Sequence, residues 1–142
     1  MVFQKILVPV SGKHHLSRAM RVLEQTLQIV RKDGEICFLH CIDIVSPLIA
    51  GKAHELLIGE ASAGVEKKLN PLVEHTENAG IKWSIHILMG SPTAHIPRFV
   101  ADNKCDIVVM CTDDGDAPEA RSIGSIAERV FQNLNVPLLI LH

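Results

Sequence analysis

The sequence predicts a doubly wound α/β domain, three layers deep (α/β/α), around a parallel sheet. Three observations carry this. Short runs rich in Ile, Val and Leu are continuous instead of alternating, the pattern of strands covered on both faces. Stripes of helical spacing lie between them. The two kinds of segment alternate along 142 residues, a length that suits one domain over 1–142 with a real core.

Five runs read as strands: Lys5 to Val10, Glu35 to Ile42, Trp83 to Leu88, Asp106 to Cys111 and Val136 to Leu141. The first helix carries Leu16, Ala19, Met20, Leu23, Leu27 and Val30 on one stripe, with Asp33-Gly34 as its C-cap. Leu57, Ala61, Val65, Leu69, Leu72 and Val73 make a second stripe that ends near Gly80. A third helix, roughly Pro92 to Asn103, has Ser91 as N-cap and Pro92 at its first position. Pro97 lies inside it and removes a hydrogen bond, so a short or bent helix is expected. The fourth helix, Ser122 to Asn133, places Ile123, Ile126, Ala127, Val130, Phe131 and Leu134 on one side and stops before Pro137. Ile44 to Ala53, with Pro47 and Gly51, is a long connection.

Composition excludes several functions. Net charge −2 is not the clustered basic surface that nucleic acid or an anionic membrane requires. No apolar run reaches the ~18 residues of a membrane span. The chain enters its first strand directly from Met1, so no signal peptide and a cytoplasmic location are expected. Cys37, Cys41, Cys105 and Cys111 lie on or beside apolar runs and form no CxxC pair, which fits reduced, mostly buried thiols. His40 reads as a core histidine with a hydrogen-bonded ring, and Trp83 as a packing or edge residue. No Ser–His–Asp order, catalytic carboxylate pair or metal-ligand spacing stands out.

Ligands in doubly wound folds bind beyond the carboxyl ends of the strands, at the switch point. Three loops are expected there: Val10-Ser11-Gly12-Lys13, Met89-Gly90-Ser91, and Cys111 to Gly124. The last is the most informative. Gly124-Ser125 opens a helix, and a helix N-terminus suits phosphate. The segment before it carries Asp113, Asp114, Asp116 and Glu119 against one Arg121. Lys13, His14 and His15 read as solvated residues of a helix start, with a phosphate role as the other reading. Cys111 would sit near a helix N-terminus, where a thiol pKa can fall.

Five pieces, in order and at matching spacing over essentially the whole chain, resemble the universal stress protein family. They are Ile6-Leu7-Val8-Pro9-Val10, Leu39-His40-Cys41-Ile42-Asp43, Met89-Gly90-Ser91-Pro92 with Ile96, Asp106-Ile107-Val108-Val109-Met110, and Gly124-Ser125-Ile126-Ala127-Glu128-Arg129-Val130 with Val136-Pro137-Leu138-Leu139-Ile140. The resemblance implies a sheet of order 3-2-1-4-5, of the adenine nucleotide alpha hydrolase-like type. It also implies a homodimer through the fifth strand, Val136 to Leu141, whose apolar edge would otherwise stay unpaired.

ATP-binding members of that family carry Gly-x-x-Gly, nine residues, then Gly followed by Ser or Thr. Counting back from Gly124-Ser125 puts the first two glycines at Cys111 and Asp114. The family's nucleotide-contacting Asp falls on Ser11. The resemblance therefore implies a cofactor site at Pro9, Val10, Ser11, Cys41, Met110, Cys111, Asp114, Gly124, Ser125 and Ile126, degenerate at Ser11, Cys111 and Asp114. A Cβ at Cys111 or Asp114 hinders close backbone approach. A carboxylate about 6 Å from a phosphate charge costs ~2–3 kcal/mol at an effective dielectric of 20.

The function this implies is a non-catalytic cytoplasmic stress-response module, without tightly bound cofactor, acting through a protein partner or weak sensing of ATP or AMP. Two alternatives remain open. Asp113 and Asp114 could hold a Mg²⁺ that bridges to phosphate in an ATP/AMP sensor. Ser11-Gly12 faintly resembles the loop of ATP pyrophosphatases, which would make the chain an enzyme.

Overall fold

A computed structural model describes residues 3–11, 16–42, 51–112 and 124–142. The elements run β1 (Phe3–Pro9), α1 (Leu16–Ile29), β2 (Val30–Ile42), α2 (Lys52–Asn78), β3 (Lys82–Met89), α3 (Pro92–Asn103), β4 (Ile107–Cys111), α4 (Ser125–Gln132) and β5 (Leu138–Leu141). They form one five-stranded sheet of order β3-β2-β1-β4-β5, and every pairing is parallel. The expected architecture and strand order are therefore present.

Alternation along the central strands sends side chains to two cores. Ile6, Val8, Ile36, Phe38, Ile107 and Val109 face α1 and α2, where Val22, Leu23, Leu69 and Leu72 close the layer. Leu7, Cys37, Leu39, Val108 and Met110 face α3 and α4 and meet Ile96, Val100, Ala127 and Val130. Both layers are needed, because a parallel strand has two apolar faces to cover.

Local expectations fail where tertiary contacts outweigh them. The first helix ends at Ile29, and Val30 is already in β2, so Asp33-Gly34 is not a C-cap. Phe3 pairs with Val30 and Lys5 with Glu35, which leaves a bulge around Gly34. Leu16 (42% exposed), Leu57 (41%) and Phe131 (61%) lie on the apolar stripes yet face solvent. Thr26 takes a fully buried place instead, its hydroxyl donating to the Val22 carbonyl at 2.7 Å. The chain spares one polar side chain there by closing its hydrogen bond within the helix turn.

The third helix is not shortened. It runs 12 residues through Pro97, with Ser91 as N-cap accepting from the Thr93 amide and Lys104 ending it in a left-handed conformation. Burial of Ile96, Phe99 and Val100 explains this. At ~1.5–3 kcal/mol each, these side chains outweigh the roughly 3 kcal/mol of an interior proline. Pro71 inside α2 is tolerated likewise, between buried Leu69 and Leu72. No described helix is long and apolar enough to cross a membrane.

Candidate functional site

Because all five strands run parallel, Pro9, Ile42, Met89, Cys111 and Leu141 end on one edge of the sheet. The strand order reverses at β1, between β2 and β4. That is where a crevice opens in this class of fold. The backbone beyond β1 is pinned to its neighbour. The Val10 amide donates to the Leu39 carbonyl at 2.8 Å, and His40 Nδ1 donates to the Val10 carbonyl at 2.7 Å. A carbonyl only accepts, so this bond fixes the His40 tautomer with its proton on Nδ1. The expected ring hydrogen bond of His40 is present, on a half-buried residue.

Beyond β4, the Thr112 amide donates to the Leu141 carbonyl at 3.0 Å and ties β4 to β5. Arg18 Nη2 donates to the Thr112 hydroxyl at 3.3 Å, and Arg21 Nη2 to the His142 carbonyl at 2.9 Å. Two guanidinium groups from α1 thus stand at the carboxyl edge of the sheet, Arg18 beyond β4 and Arg21 beyond β5. The sequence reading missed both, since it followed only the apolar stripe of α1. Arg18 and Arg21 recur one helical turn apart beside that stripe, which is the signal that could have found them.

Gly124 is buried and takes φ 92°, ψ 154°, then α4 begins at Ser125. That backbone region is essentially restricted to glycine. Gly124 offers no side-chain cap, and its carbonyl accepts from the Glu128 amide at 3.0 Å. Ser125 is exposed and Ile126 half-buried. At the third junction the Gly90 amide donates to the Ile42 carbonyl at 2.9 Å, and His95 Nε2 donates to the Met89 carbonyl at 2.7 Å.

The expected site residues separate into groups. Pro9, Val10 and Ser11 extend β1 at the carboxyl edge, and Gly124, Ser125 and Ile126 form the head of α4. Met110 and Cys111 are each 5% exposed and pack into opposite cores. Cys41 is half-buried near the end of β2. Asp114 lies outside the described residues, as do Gly12, Lys13, His14, His15, Asp113, Asp116, Glu119 and Arg121. The connection from Ile44 to Ala50 also lies outside them.

Cys111 is buried, as its place beside an apolar run led one to expect, and the alternative reading of a thiol of lowered pKa is not supported. Burial pushes its pKa up, and the nearby positive charges of Arg18 and Arg21 oppose this without reversing it. Cys111 is thus a packed thiol, not a nucleophile activated by a helix terminus. All four cysteines are free. Cys41 is pushed up to about 11 by burial. Its thiolate is the reactive form, so at pH 8 Cys41 should alkylate roughly 100-fold more slowly than a thiol of pKa 9. The rate should rise with pH until about 11, followed by mass spectrometry of the Cys41 peptide. A rate that levels off near pH 9 would contradict this environment.

Comparison with known proteins agrees with the geometry. The universal stress protein family matches residues 3–142. A universal stress protein of Methanocaldococcus jannaschii is 26% identical over 144 residues, covering 99% of this chain and 82% of the relative. The solved structure of the protein MJ0577 superposes with a TM-score of 0.83 at 22% identity, covering 99% of this chain and 96% of that one. A universal stress protein family protein of Arabidopsis thaliana, solved with AMP bound, gives a TM-score of 0.67 at 19% identity. It covers 97% of this chain and 90% of its own.

Proposed function

This chain belongs to the universal stress protein family, and on that premise we propose that it is a non-catalytic stress-response module that binds an adenine nucleotide weakly at the carboxyl edge of its sheet. The observation that carries this reading is Gly124, at φ 92° and ψ 154°, turning the chain into the N-terminus of α4. Helix amides and the helix dipole favour an anion there. Arg18 and Arg21 add positive charge at the same sheet edge. The AMP held by the Arabidopsis relative supports adenosine monophosphate as ligand.

The acidic segment selects among nucleotides by charge. Each carboxylate repels each phosphate charge, so a triphosphate suffers more than a monophosphate. Titration calorimetry with AMP, ATP and ATP plus Mg²⁺ tests the reading. AMP is expected to bind and ATP alone to bind at least about tenfold more weakly. A Mg²⁺-dependent gain for ATP would favour the sensor in which Asp113 and Asp114 hold the metal. AMP released from ATP would replace the module with an enzyme built on Ser11-Gly12. No binding at millimolar nucleotide would leave a protein partner as the ligand.

The proposal includes a homodimer through β5. This strand ends the sheet, and its residues Leu138–Leu141 are only half-buried. An apolar edge strand is covered when a second copy pairs with it. Leu139→Lys should shift the protein to monomers in sedimentation. Leu139 also packs on the core facing α1, so circular dichroism must first show the variant folded. A folded variant that stays dimeric would place the interface elsewhere.

A further inference from the structure

The turn from α2 into β3 opens a recess at the amino edge of the sheet, the opposite end of the strands from the carboxyl edge. Its volume is about 530 Å³, and Glu35, Glu77, Gly80, Ile81, Lys82 and Trp83 line it. The wall is pinned by backbone bonds. The Gly80 amide donates to the Glu77 carbonyl at 2.9 Å, and the Ile81 amide to the Thr76 carbonyl at 3.2 Å. A Cβ at Gly80 would meet nothing within 4 Å, so the space beside the turn is open.

The side chains in this recess are oriented by hydrogen bonds. Trp83 Nε1 donates to Glu77 Oε1 at 3.0 Å. The indole still keeps 37% of its surface exposed, a large apolar area that packing has not covered. With its N–H committed, the ring offers a ligand its π face, which the bonded carboxylate makes more electron-rich. Glu35 is half-buried and accepts from the Ser84 hydroxyl at 3.3 Å and from Cys37 Sγ at 3.7 Å, both on Oε1. Among the described residues, the bonds to both carboxylates thus fall on Oε1, which leaves Oε2 of each for a ligand.

Charge selects the kind of ligand. Lys82 lies opposite Glu35 in the β2–β3 register, yet among the described residues it makes no ion pair with either carboxylate. The 27-residue α2 ends at the same place and adds the negative end of its dipole. Two carboxylates and a helix C-terminus against one lysine leave the recess negative. An anion is repelled there. A hard metal ion needs several oxygen ligands and meets indole and aliphatic walls instead. An ammonium group on an apolar body satisfies both parts: N–H donors for the carboxylates, and a cationic head and methylenes for Trp83 and Ile81.

We propose that this recess binds a small primary alkylammonium ion, its ammonium held by Glu35 and Glu77 and its hydrocarbon part resting on Trp83 and Ile81. The site is separate from the nucleotide edge and does not depend on it. Trp83 is the only tryptophan of the chain, so its indole N–H gives a single resonance in a proton–nitrogen correlation spectrum of the whole protein. The probe is n-butylammonium chloride, with sodium chloride and sodium butyrate at equal concentration as controls. The indole resonance is expected to shift saturably with millimolar butylammonium and with neither control. Glu35→Gln and Glu77→Gln should each weaken binding at least about threefold, and Lys82→Gln, which removes a like charge, should tighten it. A wild-type indole resonance that does not move, or that moves equally with sodium chloride, would overturn the proposal. So would unchanged affinity in both glutamine variants of the glutamates when their spectra show them folded. The wild-type titration decides even if a variant misfolds.

Discussion

Replacing Gly124 by valine is expected to abolish nucleotide binding while leaving the sheet intact. At φ 92° and ψ 154° an L side chain is strained by about 1–3 kcal/mol. Valine, branched at Cβ, lies toward the upper end. The chain relieves the strain by rotating the peptides that lead into α4, and the first-turn amides then no longer converge. The AMP affinity should fall at least about tenfold, which corresponds to ~1.4 kcal/mol. Ala127 and Val130 remain buried and hold α4 on the sheet. The melting temperature should therefore drop by no more than about 12 °C, at roughly 4 °C per kcal/mol. Calorimetric titration beside a thermal scan separates the two effects. Unchanged AMP affinity in a folded variant would remove the α4 terminus from the site.

Gly34→Ala is expected to be the most destabilising single-methyl addition in the described chain's sheet. A Cβ at Gly34 would meet the Gln4 carbonyl oxygen at 2.7 Å, Val30 Cγ2 at 2.8 Å and the Arg31 carbonyl oxygen at 2.9 Å. Two of these are backbone atoms that cannot swing away. The bulge between the Phe3–Val30 and Lys5–Glu35 pairs would have to open. Overpacking of this kind costs about 2–3 kcal/mol. In a domain of this size that lowers the melting temperature by roughly 10 °C. Urea unfolding should show a lower midpoint with an unchanged slope, because the exposed surface is the same. A midpoint within error of wild type would mean that the bulge closes in another way.

Much of the fold was legible in the sequence. Continuous apolar runs identified the five strands, and a periodicity near 3.6 identified the helices, because both are local consequences of which faces a segment must bury. The family motifs carried the strand order and pointed to Gly124-Ser125. Boundaries were less legible. Val30 satisfies a helical stripe and a strand equally well, and only its pairing with Phe3 decides between them. Pro97 looked like a helix breaker because its local cost is visible, whereas the burial of Phe99 and Val100 around it is not.

The site divides along the same line. The sequence by itself determined a parallel α/β domain and a glycine-led helix start, since spacing along the chain encodes both. Tertiary structure alone brought Arg18 to Thr112, 94 residues away, and Ser84 to Glu35, 49 residues away. It also turned Cys111 from a candidate nucleophile into a packed, raised-pKa thiol. Those outcomes depend on which strands lie side by side and in what register. Burial and hydrogen bonding between distant residues follow from that register, and no local pattern records it.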